Sequence, residues 1–250
     1  MLMTMPPAAL ALSALALVLG GVLKGATGAG APVVAVPVIA LFFDVETAII
    51  TMMLPNLLSN VVQGWRYRAY LPRGGFGALF AAGGLAGAVL GTVLLANAPP
   101  EVLLLMVSVV VFLYIAFRIA KPGWALPMPL ARRIVLPVGL AGGILQGATG
   151  VSAPISVTFL NAVRLPRDAF IGTISLFFTV MTFAQLVALG SYGLLSPEGL
   201  GRSAIALGLI LAAMPLGEAL ARRIPPAVFD KLILALLAVV ATRILIGVVL

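Results

Sequence analysis

The sequence predicts an all-α integral membrane protein built from two inverted-topology repeats, each a broken, re-entrant helical hairpin followed by three transmembrane helices. Two observations lead to this prediction. The chain of 250 residues is 62% hydrophobic and 9% charged, whereas a soluble domain carries about a quarter charged residues. A Gly-rich segment at 21–32 also recurs at 143–154, and the spacing of 122 residues holds without a gap beyond it. Two copies of one unit in so apolar a chain are typical of secondary transporters.

The individual elements follow from the lengths of the apolar runs. A helix of about 20 residues crosses a hydrocarbon core of about 30 Å. Six runs have about this length, and two others are too long for one helix and are interrupted by the Gly-rich segment. The repeats are residues 1–125, with the hairpin 8–43 and the spans 46–65, 75–96 and 101–120, and residues 126–250, with the hairpin 133–163 and the spans 168–190, 200–221 and 227–250.

The first apolar run resembles the core of a signal peptide. We expect it to be retained, because no Lys or Arg precedes it and the equivalent run of the second half is internal. Nothing between the apolar runs is long enough to form a domain outside the membrane.

The distribution of basic residues predicts the topology, since cytoplasmic loops are enriched in Lys and Arg. Basic residues occupy the segments 66–73, 118–133, 164–167 and 222–231, whereas the loops near 44–46, 97–101 and 190–198 have none. If each broken run enters and leaves on one side, all four basic segments face the cytoplasm and the second half is upside down. The alternative of eight full crossings gives a parallel repeat, but it places these basic residues outside: Arg164, Arg167, Arg222, Arg223 and Lys231.

The Gly-rich breaks predict a binding site for a small anion. Irregular backbone at membrane depth is tolerated only inside protein or beside a water-filled cavity. Glycines permit turns with positive φ, and Pro32 suits the first turn of a returning helix whose free N–H groups attract anions. The 16 residues from Ala8 to Leu23 span about 24 Å as a helix. We therefore expect the tips of the two hairpins to meet near the centre of the bilayer, with Thr27, Thr149 and Ser152 adding hydroxyl groups.

Lys24 strengthens this interpretation, because an ionisable group at such depth is costly and faces a pathway or a partner. Its equivalent in the second repeat is the neutral Gln146. A simpler interpretation is that Lys24 pairs with Glu218 or extends to water. The predicted substrate-binding residues are Lys24, Gly25, Thr27, Gly28, Gly30, Gln63, Gln146, Gly147, Thr149, Gly150, Ser152 and Gln185. For other polar residues within the spans, interhelical hydrogen bonding is the expected role; they are Asn56, Asn60, Thr173, Thr179 and Thr182.

Other glycines predict packing and not binding. The Gly-x-x-x-Gly pairs formed by Gly83, Gly87 and Gly91 are typical of closely packed membrane helices. The Gly-rich breaks also resemble nucleotide-binding loops. A P-loop, however, follows a strand and ends in Gly-Lys-Ser/Thr, and neither feature is present.

Composition excludes several other functions. The chain has no cysteine and no histidine, which removes disulfides, thiolate metal sites and the usual proton shuttle. We expect no catalytic residue, no metal and no cofactor. The net charge of +8 is explained by membrane topology, so nucleic acid is not an expected partner. The expected partners are a small anion and membrane lipid, with a homo-oligomer left open.

At these residues the chain resembles the TauE/SafE family of bacterial sulfite exporters. The resemblance lies in Gly21-x-x-x-Gly25-x-x-Gly28-x-Gly30 leading to Val36-Pro37, in the segment 65–68 (Trp-Arg-Tyr-Arg), and in the repetition at 143–154. It implies a multi-pass protein of the bacterial inner membrane that moves sulfite or an organosulfonate such as sulfoacetate, usually outward. The second break departs from the first, with Val151-Ser152 in place of Ala29-Gly30. Related thiosulfate importers that use cysteines within the membrane match poorly.

Two other functions stay open. One is transport of another small anion or a metabolite. The more remote one is an intramembrane enzyme, which needs a base of altered pKa beside a nucleophile. The chain offers only Glu218 as the base, and Ser152 is the only serine in a motif.

Overall fold

The computed structural model describes residues 7–120, 123–220 and 226–249. Over these ranges the backbone forms ten α-helices and no strand, and seven of the helices are long and apolar enough to cross a bilayer. This confirms an all-α membrane protein. The helices are α1 Pro7–Thr27, α2 Ala31–Phe42, α3 Val45–Arg66, α4 Phe76–Asn97, α5 Pro100–Ala120, α6 Met128–Thr149, α7 Ala153–Val163, α8 Arg167–Ser191, α9 Pro197–Leu220 and α10 Pro226–Val249.

The helices sort into two sets of five with matching lengths. Each set begins with a long helix, a break of three residues and a short helix, as the repeat predicts. The first helix of each set, the long arm of the hairpin, is longer than expected. Helix α1 has 21 residues, about 31 Å at 1.5 Å per residue, and α6 has 22, so each is long enough to cross alone. The returning helices α2 and α7, with 12 and 11 residues, are not.

Helices α4 and α6 pack backbone to backbone along a line of glycines. A Cβ atom on Gly87 would lie 2.1 Å from the carbonyl oxygen of Leu140, and Gly83 and Gly91 face α6 in the same way. The predicted packing role of these glycines is confirmed. Because later glycines of α4 face later residues of α6, the two helices run parallel.

The repeat makes the same contact a second time between α1 and α9. Gly21 faces Ile210, and a Cβ atom on Gly25 would lie 2.0 Å from the carbonyl oxygen of Met214. Gly217 of α9 faces Val22 in return. This order of contacts shows that α1 and α9 also run parallel.

Helices α3 and α8 are antiparallel neighbours. Gly172 near the start of α8 lies against Tyr67 just after the end of α3, and Ser175 Oγ lies 3.5 Å from Gln63 Oε1. Gln63 and Ser175 therefore lie at the interface of α3 and α8, which are the two most buried of the candidate spans.

The remaining contacts fix the direction of six long helices. Gly77 and Gly84 of α4 face Thr173 and Phe177 of α8 in order, so α4 and α8 are parallel. Ser203 Oγ donates to the carbonyl of Thr51 and Gly199 faces Ile50, so α3 and α9 have their first halves side by side. Helices α1, α3 and α9 thus share one direction, and α4, α6 and α8 have the other.

Basic residues of several connections gather at the end where α3 finishes and α6 and α8 begin. Arg132 Nη2 donates to the carbonyl of Arg73, and Arg164 Nη2 donates to that of Gly123. The guanidinium groups themselves are exposed. Lys121, Arg222 and Arg223 lie outside the described residues. The described basic residues at this end are Arg66, Arg68, Arg73, Arg132, Arg133, Arg164 and Arg167.

The core is organised around the short helices. Every residue of α2 from Ala31 to Ala40 is buried, which explains how a 12-residue apolar helix can lie within the bundle without lipid contact. Around α7, Phe80 stacks on Phe177 with ring centroids 4.1 Å apart. Large apolar side chains such as Leu113 and Val187 are exposed on the outside, where lipid tails would cover them.

Candidate functional site

The two breaks have the same local geometry. Thr27 Oγ1 donates to the carbonyl of Leu23 at 2.9 Å and accepts from the amide of Ala29 at 3.3 Å. Thr149 Oγ1 makes the matching bonds, to the carbonyl of Leu145 at 2.7 Å and from the amide of Val151 at 3.3 Å. The threonine hydroxyls therefore fasten each break to its own helix. Both hydroxyl protons are used in these local bonds, and a role of the two threonines in anion binding stays a prediction.

The glycines of the breaks adopt the predicted positive φ. Gly28 has φ 80° and Gly150 has φ 73°, a conformation that glycine enters without steric cost. The backbone conformation of the second break also explains why its sequence differs from that of the first. Gly30 has φ 99°, but Ser152 at the equivalent position has φ −101° and lies in the right-handed region, where a side chain is allowed.

Gly25 and Gly147 have a packing role. As described above, Gly25 lies against α9. A Cβ atom on its equivalent Gly147 would lie 2.5 Å from the carbonyl oxygen of Ala88 on α4. On this side both backbones face a neighbouring helix so closely that no ligand fits between, and their assignment as substrate-binding residues stays a prediction.

Replacing Gly28 by alanine should destabilise the protein by about 2 kcal/mol or more, since the positive φ alone costs about 1–2 kcal/mol and the new Cβ would meet Ile171 Cγ1 at 2.9 Å. Gly193→Ala is the matched control, because Gly193 has φ 69° and nothing within 4 Å of its Cβ position. Thermal unfolding in detergent measures both. Equal losses for the two variants would mean that the contact with Ile171 carries no cost.

The ammonium group of Lys24 is buried and bonds a neutral amide. Lys24 is 2% exposed, and its Nζ donates to Asn60 Oδ1 at 2.9 Å. Asn60 in turn donates to the carbonyl of Asn56 at 2.7 Å. The expected alternative partners are not used, since Glu218 lies on an exposed face of α9 and burial keeps the ammonium from water. No ion pair with Lys24 occurs in the described ranges.

Asn60 belongs to a set of polar residues on α3 and α8, which we call the central polar seam: the buried Asn56, Asn60 and Thr182 and the half-buried Thr179. In this seam Asn56 Nδ2, Thr179 Oγ1 and Thr182 Oγ1 are buried and have no hydrogen-bond partner. A buried polar group without a partner costs free energy, so such a cluster indicates a place for a ligand or water. From the sequence we expected interhelical hydrogen bonds here and did not predict unpartnered atoms. The one signal in the sequence was the costly charge of Lys24, which needs polar neighbours at the same depth.

The repeat-related glutamines are used differently. Gln63 is half-buried, and its Oε1 accepts from Ser175. Gln185 is fully buried, and its Nε2 lies 3.4 Å and 3.3 Å from the carbonyl oxygens of Gln146 and Gly147 at the end of α6. Of the two glutamines, Gln185 is therefore the one that contacts the last turn of α6, just before the second break.

The two breaks lie at different levels of the bundle and do not meet. Gly150 lies against Ile49 near the start of α3, whereas Lys24 bonds Asn60 on the same helix. These two α3 residues are 11 positions apart, about 16 Å along the helix axis. Each long arm exceeds the expected length, so the two breaks lie at different levels, and the prediction of facing tips is corrected.

A cavity of about 210 Å³ lies at the end of the bundle opposite the basic residues. It lies between the first halves of α1 and α9, before the point where Gly21 contacts Ile210. Arg202, which sequence analysis missed, contributes a buried Nε without a partner, and Ser13 Oγ is also unpartnered. The lining residues are Leu10, Ser13, Ala14, Leu17, Ile39, Phe43, Thr47, Thr51, Arg202, Ile205, Ala206 and Leu209.

Comparison with known families adds the identification that geometry alone cannot give. A family model described as "Sulfite exporter TauE/SafE" matches residues 13–244, nearly the whole chain. The chain belongs to the TauE/SafE family. It is accordingly a multi-pass membrane transporter and not an enzyme, in agreement with the sequence prediction. Comparison with curated proteins finds no match, and comparison with solved structures finds none either.

Proposed function

We propose that this TauE/SafE protein exports a small sulfur oxyanion, sulfite or an organosulfonate such as sulfoacetate, across the bacterial inner membrane. The observation that carries the proposal is the buried ammonium of Lys24, which is bonded to neutral Asn60 without a carboxylate in the described ranges to balance it. An uncompensated charge at this depth is costly. An anion beside it removes that cost, and one cation among neutral donors suits an anion of low charge.

The proposed binding site lies where the first break meets the central polar seam. Lys24 supplies the positive charge, and the unpartnered Asn56 Nδ2 and Thr179 Oγ1 supply neutral hydrogen bonds. The uncapped N-terminus of α2 adds backbone donors. We further propose that these predicted residues line the rest of the pathway: Gly28, Gly30, Gln63, Gln146, Thr149, Gly150, Ser152 and Gln185.

We propose an inverted repeat as the framework for movement of the anion. Helix directions support it, because each of α1, α3 and α4 runs opposite to its repeat equivalent α6, α8 or α9. The gathering of Arg66–Arg73 with Arg132 and Arg164 at one end supports it too, since the parallel alternative would place Arg164 on the opposite side from the others. Rocking of one half against the other around a fixed site would then expose the anion to each side in turn.

The cavity at the opposite end supplies a route outward. Thr51 in its lining lies nine residues before Asn60 on α3, about 13 Å along the axis. Arg202 there offers a second positive charge. An anion released from Lys24 would meet Arg202 before it leaves the protein, and we expect a stepwise path between the two cations.

A titration of the purified protein tests the proposal. Thermal unfolding is followed with sulfite, sulfoacetate, taurine, sulfate and chloride at constant ionic strength and constant sodium. We expect selective stabilisation by sulfite or sulfoacetate, with chloride as the control for unspecific anion effects. The same protein in liposomes should then exchange the stabilising anion across the membrane. Stabilisation by none of the sulfur anions would refute the oxyanion proposal, and stabilisation by another anion alone would assign the site to that anion.

A further inference from the structure

The two long arms end differently, although the repeat makes them equivalent. The last turn of α1 contains a cation, Lys24, which complements the partial negative charge at the C-terminal end of a helix. The last turn of α6 contains no basic residue. Gln146 occupies the position of Lys24, and Thr182 occupies that of its partner Asn60.

Three buried oxygen atoms without a hydrogen-bond partner surround this second position. They are Gln146 Oε1, Gln185 Oε1 and Thr182 Oγ1, and the three residues are at most 1% exposed. Gln185 Nε2 lies within 3.4 Å of the carbonyl oxygens that end α6, so its side chain reaches Gln146. Thr182 lies one turn before Gln185 on the same face of α8. The three side chains therefore lie on neighbouring turns of α6 and α8.

We propose that a sodium ion binds at this position, held by Gln146, Thr182 and Gln185 at the C-terminal end of α6. The ion would replace, in the second half, the ammonium group that Lys24 supplies in the first. Helix ends and carbonyl-type oxygens at broken helices are suitable sodium ligands. The three oxygens are neutral, and among the residues that the structure describes no acidic side chain accompanies them, which suits a singly charged ion better than a divalent one.

Sodium and water would satisfy these three oxygens in different ways. A cation attracts all three at once, whereas a water molecule would donate to the two glutamine oxygens and accept from Thr182 Oγ1. A water molecule gives no dependence of stability on sodium, so the titration below separates the two occupants. The ion would also place a positive charge on each side of the central polar seam. Anion binding and sodium binding should then favour one another.

The test is a sodium titration of the full-length protein in detergent without any sulfur anion. Chloride and ionic strength are held constant by replacing sodium with choline, and potassium is run in parallel. We expect a rise in the unfolding midpoint that saturates with sodium and that choline does not reproduce. Gln146→Lys should abolish the sodium dependence, because the new ammonium would occupy the site.

Thr182→Val has a matched control on the same helix. Thr173 is also fully buried, and its Oγ1 also lacks a partner, but it lies nine residues away. We expect Thr182→Val to weaken sodium binding at least tenfold and Thr173→Val to leave it unchanged. Equal effects of the two variants, or equal stabilisation by sodium, potassium and choline, would overturn the sodium site.

The sodium site and the anion site can fail separately. Sodium is titrated without sulfur anions, and the anion panel is measured at constant sodium. Sodium binding without any sulfur-anion binding would leave this site intact and remove the proposed function. Anion binding that is insensitive to sodium, together with no sodium-specific stabilisation, would remove the sodium site and leave the proposed function intact.

Discussion

Replacing Gly87 by alanine should destabilise the protein by on the order of 3 kcal/mol, because overpacking a close contact has a cost of this size. The added Cβ would lie 2.1 Å from the carbonyl oxygen of Leu140 and 2.9 Å from Gly143 Cα. These atoms are backbone and cannot turn away as a side chain can. Helices α4 and α6 would have to separate. Thermal unfolding in detergent and the yield of folded protein measure the effect.

Gly208→Ala is the matched control for this experiment. Gly208 also lies within a long helix, but its Cβ position has nothing within 4 Å. Alanine there should leave stability unchanged or raise it by about 0.5–1 kcal/mol, the usual gain from removing a helical glycine. If Gly87→Ala behaved like Gly208→Ala, the α4 and α6 backbones could not be in direct contact.

Replacing Lys24 by methionine should weaken binding of the sulfur anion by about 100-fold, as expected when one partner of a buried charge pair is lost. The folded state should keep its stability, since an apolar side chain of similar size avoids the cost of a buried charge. Titration with the stabilising anion and exchange in liposomes measure the loss. Together these results would separate a binding role from a structural one.

Arg133→Met is the matched control for the loss of one positive charge. Arg133 is exposed at the basic end, so its loss should change anion binding less than twofold at physiological salt, where exposed charges are screened. Unchanged binding and transport in Lys24→Met would show that Lys24 is a structural residue. An equal loss in both variants would assign the effect to net charge.

The sequence predicted correctly those features that depend on backbone conformation or on the repeated spacing of residues. The breaks at 28–30 and 150–152 fall on glycines that need positive φ, and the Gly83, Gly87 and Gly91 contacts follow from small residues at helical spacing. It did not show the packing contacts of Gly25 and Gly147 or the local hydrogen bonds of the two threonines. Their neighbours come from other helices or from the local backbone, and a motif cannot show which side of a glycine faces a partner.

The sequence by itself determined that the protein is an all-α membrane protein with two related halves, because hydrophobic length and repeated spacing are properties of the chain alone. Only the tertiary structure decided that Lys24 meets Asn60, that the breaks lie at different levels and do not meet, and that Gln146 and Thr182 carry unpartnered oxygens. These facts depend on which helix lies beside which and at what level. That arrangement is set by the packing of glycine-lined helices across both halves, which no local pattern specifies.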